Sequence, residues 1–107
     1  MSVLTYPRVI FPDEFDERAE IEMPMKGWLR ARVEIEEGRS YRVFFMDPVR
    51  LQQELTDLVG CGEPCFAEAG LIILPDVTVA AIEKAVFFLW ERGFFSQLKL
   101  DEVPETS

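Results

Sequence analysis

Alternating apolar and polar positions between residues 28 and 46 predict a β-hairpin. Apolar residues recur at every second position of its first half, at Leu29, Ala31, Val33 and Ile35, as expected for a strand with one buried face. The register that keeps this face continuous has a three-residue loop, Glu36-Glu37-Gly38, with Gly38 in the left-handed conformation. It pairs Ile35 with Arg39, Val33 with Tyr41, Ala31 with Val43 and Leu29 with Phe45.

The same register places a second set of side chains together on the other side of the hairpin. This set, called the back face below, is Trp28, Arg30, Arg32, Arg42, Phe44 and Met46. Aromatic residues, methionine and arginine are enriched in protein interfaces, and we therefore predict that the back face binds a partner. Two alternatives are structural: the N-terminal segment with Tyr6, Ile10 and Phe11 covers the face, or the arginine stems lie along its aromatic rings.

Two amphipathic helices are predicted after the hairpin. Asp47 and Pro48 suit the cap and first position of one helix, which ends at Gly60. The other is capped by Thr78 or Asp76 and ends before Gly93. The inward positions are Leu51, Leu55, Leu58 and Val59 in the first helix, and Val79, Ile82, Val86 and Leu89, widened by Ala81, Ala85 and Phe88, in the second.

Shorter apolar runs predict additional strands at 1–11, 19–25, 66–74 and 95–100. Pro7 places the first at a sheet edge, whereas the apolar run within 66–74 suits a central strand. The expected fold is α+β, a two-layer sandwich with a mixed, mostly antiparallel sheet of about five strands and two helices on one face.

We expect one domain over residues 1–107, because no repeat or linker divides the chain. Residues 1–27 would supply edge strands and an acidic loop, and residues 28–100 the hairpin, helix, strand, helix and strand. Residues 101–107 would form a loose acidic tail.

Charge is unevenly distributed along the chain. The net charge is −9, yet residues 26–50 hold six of the eleven bases and only four of the twenty acids. An acidic chain is repelled by nucleic-acid phosphates and by anionic membrane surfaces, so we expect neither as a partner. The basic middle of the chain is electrostatically distinct from both flanks.

The residue inventory restricts the available chemistry. Without histidine, no Ser-His-Asp or Cys-His catalytic arrangement can form, and no phosphate loop or calcium loop is present. The two cysteines, Cys61 and Cys65, are too few for a four-ligand zinc site in a chain without histidine. They are predicted to be free thiols or a reversible redox pair, and we expect no catalytic residue, cofactor or metal.

The sequence therefore favours a non-catalytic protein-interaction module. It would self-associate as a homodimer through the back face, or act as an acidic adaptor for a basic protein partner. The alternatives are a thiol regulator that uses Cys61 and Cys65, and a small-ligand protein in which Arg30 or Arg42 holds an anion. A cytoplasmic location is expected, because the first residues lack the features of a secretory signal.

Overall fold

A long β-hairpin organises the sheet of this protein. The computed structural model describes residues 6–97. In chain order its elements are β1 (Arg8–Ile10), α1 (Glu17–Lys26), β2 (Trp28–Glu36), β3 (Arg39–Met46), α2 (Pro48–Gly60), β4 (Leu71–Ile73), α3 (Val79–Glu91) and a short 3-10 helix (Phe94–Gln97).

The sheet has the order β1-β2-β3-β4, with antiparallel neighbours except for the parallel pair β3 and β4. The predicted α+β class is confirmed. The predicted element count is wrong, since residues 6–97 contain four strands and three α-helices instead of about five strands and two helices. None of these helices is long and apolar enough to cross a membrane.

The hairpin register agrees with the prediction over most of its length. Val33 lies opposite Tyr41 and Leu29 opposite Phe45, and Gly38 has a φ of 79° in the turn. The pairing differs beside the turn, where a bulge places Glu36, in place of Ile35, opposite Arg39. The bulge is confined to the turn end of the hairpin, and the pairs from Glu34–Ser40 to Trp28–Met46 keep the predicted register.

The chain from residue 17 to 26 is a helix, so the strand predicted at 19–25 is wrong. The Asp16 side chain accepts a hydrogen bond from the Ala19 backbone N–H and caps the helix. Met23, one turn after Ala19, is 2% exposed, whereas Ile21 is 69% exposed. A strand would place Ile21 and Met23 on the same face, and a helix separates them.

Both predicted helices after the hairpin are confirmed. The Asp47 side chain accepts from the Arg50 N–H at the start of α2, and the Thr78 side chain accepts from the Ala81 N–H at the start of α3. Val59, predicted to face inward in α2, is 61% exposed, and Phe88, predicted to widen the stripe of α3, is 52% exposed.

The strands predicted at 66–74 and 95–100 differ from the structure. The first is reduced to β4, which lies at an edge of the described sheet rather than at its centre. The described part of the second is the 3-10 helix. Residues 98–100, together with Leu4 of the first predicted strand and the predicted tail at 101–107, lie outside the described residues.

The main core lies on one face of the sheet, under α1 and α3. Val33 and Phe45 from the hairpin pack there with Met23 of α1 and with Ile82 and Val86 of α3. No residue of α2 belongs to this core or is among the apolar residues packed against it. Helix α2 therefore does not pack on this core as α3 does, which differs from the expected two-layer sandwich with both predicted helices on one face.

Candidate functional site

All six predicted site residues lie on one side of the hairpin. Trp28 is opposite Met46, Arg30 is opposite Phe44 and Arg32 is opposite Arg42. Because successive side chains of a strand alternate between its faces, this register places the six on the side away from the main core. The structure divides them into a closed aromatic half and an open basic half.

The aromatic half is covered by the chain itself. Phe44 is 6% exposed and Met46 is 1% exposed. The ring of Phe44 makes edge contacts with Trp28, at 6.1 Å between centroids, and with Phe66, at 6.4 Å. Phe66 belongs to the segment between α2 and β4, so a residue distant in sequence closes this part. The expectation that Phe44 and Met46 are open to a partner is wrong.

Arg30 joins the two halves. Its guanidinium carbon lies 3.9 Å from the centroid of the Phe44 ring, so the alternative in which an arginine lies along an aromatic ring is observed here. The guanidinium also donates two hydrogen bonds to the carboxylate of Glu68, one of them 3.1 Å from Nη2 to Oε1. The bond to Glu68, more than the nearby charge of Glu54, raises the pKa of Arg30.

The basic half forms an open groove of about 410 Å³, called the arginine groove below. Its lining consists of three arginines with apolar and acidic neighbours: Ile10, Phe11, Pro12, Asp13, Arg30, Ala31, Arg32, Arg42 and Val43. Ile10 is the β1 partner of Arg32, so the edge strand supplies one wall. The N-terminal segment thus borders the arginines, which remain exposed, instead of covering them.

The groove concentrates positive charge in a strongly acidic chain. Arg32 and Arg42 lie directly opposite each other on neighbouring strands, a position in which like charges repel. Both also make interactions within the chain. A carboxylate bound between them would interact favourably with both guanidinium groups, and planar guanidinium groups can bind carboxylates through paired hydrogen bonds.

A second surface, on the outside of α3, was not identified from the sequence. Phe87, Phe88 and Trp90 are 49%, 52% and 38% exposed. The rings of Phe87 and Trp90 are 5.7 Å apart, and the Arg92 guanidinium lies 4.3 Å from the Phe88 ring. The signal in the sequence is that α3 is apolar on more than one face, beyond the stripe that the core requires.

The two cysteines are exposed free thiols in the loop after α2. Exposure makes both accessible to oxidants, as the redox prediction requires. In residues 6–97, no three cysteine or carboxylate side chains lie close enough together to hold a metal ion.

Comparison with known proteins supplies no relative for this chain. No protein-family model, curated protein or solved structure matches it. Its function is therefore inferred from its own residues.

Proposed function

We propose that this chain is a non-catalytic protein-interaction module whose arginine groove binds a carboxylate-bearing segment of a partner protein. The observation that supports this is the convergence of Arg30, Arg32 and Arg42 in an open groove of about 410 Å³, in a chain with a net charge of −9. Arginine is among the residues that contribute most to binding energy at interfaces.

The groove has features that select a peptide segment over a bare anion. Ile10 and Pro12 provide an apolar wall beside the arginines, and Asp13 adds one carboxylate to the lining. A segment that alternates acidic and apolar residues would contact both the guanidinium groups and this wall. Asp13 would disfavour a uniformly acidic segment through like-charge repulsion.

Fluorescence anisotropy with a labelled peptide of alternating glutamate and leucine tests this proposal. We expect binding that weakens with salt and that falls by about tenfold, or about 1.4 kcal/mol, in Arg42→Gln. The matched control is Arg18→Gln, which removes the same charge from an exposed position on α1. Equal losses in the two variants, or no binding to the wild type, would contradict the proposal.

The same assay separates the other partner chemistries. A lysine-leucine peptide that binds in place of the acidic peptide would favour the acidic adaptor for a basic partner. Displacement of the acidic peptide by low citrate concentrations would assign the groove to a small anion. Binding of the acidic peptide alone, resistant to citrate, supports the proposed segment.

A second candidate function is thiol regulation, favoured by the exposure of both Cys61 and Cys65. Oxidised glutathione would accept two electrons from the two thiols, forming one protein disulfide and two molecules of reduced glutathione. Treated wild-type protein should then shift in non-reducing electrophoresis, and the shift should disappear in Cys61→Ser and in Cys65→Ser. We also propose a cytoplasmic location, since a reducing compartment suits exposed free thiols.

A further inference from the structure

The outer surface of α3 carries exposed aromatic rings, with an acidic residue followed by a basic residue both before and after them. Phe87 and Phe88 are about half exposed. Glu83 and Lys84 precede them, Glu91 and Arg92 follow them, and all four charged residues are exposed. Ile82 and Val86, on the other side of the helix, are buried in the main core, so the aromatic surface is not part of that core.

These four charges are self-complementary: beside a second, antiparallel copy of the helix, each would lie level with a residue of opposite charge. Lys84 and Glu91 are equally distant, roughly 5 Å along the helix axis at 1.5 Å per residue, from the midpoint between Phe87 and Phe88. In an antiparallel pair of α3 helices centred at this midpoint, Lys84 of each copy is level with Glu91 of the other. Glu83 and Arg92 are related in the same way.

The aromatic residues obey the same symmetry. In this antiparallel arrangement, Phe87 of one copy lies level with Phe88 of the other, and a two-fold axis repeats the contact. The contact would be isologous, as in most dimeric proteins. Lys84 and Glu91 are seven residues apart, about 10 Å along the axis, and therefore do not form the usual i,i+4 pair within one helix.

We infer that the outer face of α3 is a homodimer interface, in which a second copy of this chain packs antiparallel through Phe87 and Phe88 with reciprocal Lys84–Glu91 ion pairs. The occupant is a second copy because the charges match those of the same helix reversed. This inference does not depend on the arginine groove, which lies on the opposite side of the sheet from α3 and stays accessible in such a dimer.

Sedimentation equilibrium of the full chain at increasing concentration tests the inference. We expect a wild-type monomer–dimer equilibrium and a monomer for Phe87→Ser. Val49→Ser is the matched control, because Val49 is 68% exposed on α2, and it should dimerise like the wild type. Circular dichroism checks that each variant is folded. A monomeric wild type, or a dimer unaffected by Phe87→Ser, would overturn the inference.

Charge reversal tests the proposed register. Lys84→Glu and Glu91→Lys should each weaken dimerisation by about tenfold, since each places like charges opposite one another in both symmetry-related contacts. The double variant should recover the wild-type affinity, and an equimolar mixture of the two single variants should form a heterodimer. If neither the double variant nor the mixture recovers dimerisation, the antiparallel pairing is wrong.

Discussion

At Gly70 the backbone of the chain entering β4 passes close to that of strand β3. Its φ is +82°, and a β-carbon added there would lie 2.4 Å from the backbone oxygen of Arg42. Its own carbonyl accepts a hydrogen bond from the Phe44 N–H at 3.0 Å. We expect Gly70→Ala to lower the free energy of unfolding by more than about 1 kcal/mol, because both conformation and contact oppose a side chain. Urea denaturation measures the change.

Gly60→Ala is the matched control for this substitution. Gly60 is the last residue of α2, and no atom lies within 4 Å of a β-carbon added there. Alanine is a better helix former than glycine by up to about 1 kcal/mol, so this variant should be unchanged or slightly more stable. Equal destabilisation of both variants would contradict the close approach at Gly70.

Phe44 is the residue for which burial changes the expected result most. The predicted hairpin leaves Phe44 open to a partner. On that basis, the Phe44→Glu variant would fold and would fail to form a back-face dimer. In the structure Phe44 is 6% exposed. The substitution removes the ring contacts with Trp28 and Phe66 and buries a carboxylate whose cross-strand neighbour, Arg30, is already bonded to Glu68. We therefore expect Phe44→Glu to melt well below the wild type. Phe88→Glu, at an exposed position, should keep the wild-type melting temperature when both are measured as dilute monomers by circular dichroism.

Phe44 and Phe66 show which features of the back face a residue pattern can predict. The hairpin register assigned Phe44 correctly to the back face, because side-chain alternation is a local property. Its cover comes from Phe66, which is 22 residues further along the chain. No local pattern indicates that contact, so the basic half of the site could be predicted and the closure of the aromatic half could not.

At the scale of elements, α1 and α3 offer a direct comparison of two isoleucines. Ile82 of α3 is 0% exposed and Ile21 of α1 is 69% exposed. Ile82→Ala should lower the free energy of unfolding by about 2 to 5 kcal/mol through lost burial and a cavity. Ile21→Ala should change it by less than about 0.5 kcal/mol, as measured by urea denaturation. A large loss at Ile21 would instead favour the strand predicted at 19–25.

Helices α2 and α3 were predictable from a cap followed by a clear apolar stripe, whereas α1 was missed although Asp16 caps it. Asp47 caps α2 as the sequence indicates, and Thr78, one of the two candidates with Asp76, caps α3. In α1, Pro24 lies inside the helix, where proline is normally unfavourable, and the alternation of Ile21, Met23 and Met25 imitates a strand. Met23 is buried against the main core, and this tertiary contact outweighs the local sequence preference for a strand.

At the scale of the whole molecule, the excess of acids controls the response to salt. The chain has twenty acids and eleven bases, and ion pairs such as Arg18–Glu22 and Arg39–Glu36 lie on the surface. Exposed pairs contribute about 0 to 1 kcal/mol each, whereas a large net charge destabilises the compact state by self-repulsion. Salt weakens both effects, and with a net charge of −9 the repulsion should be the larger.

We therefore expect the melting temperature to rise as sodium chloride increases from about 0.01 M to 0.1 M, over which the Debye length falls from about 30 to 10 Å. The melting temperature should be measured in Phe87→Ser protein, so that dimerisation does not contribute to the measured stability. Adding Glu14→Gln and Glu63→Gln, at two exposed positions, should raise the melting temperature at low salt and reduce its increase with salt. A melting temperature that falls with salt in the parent variant would mean that attractive ion pairs outweigh the repulsion, and the −9 charge would then be balanced by the arrangement of charges on the surface.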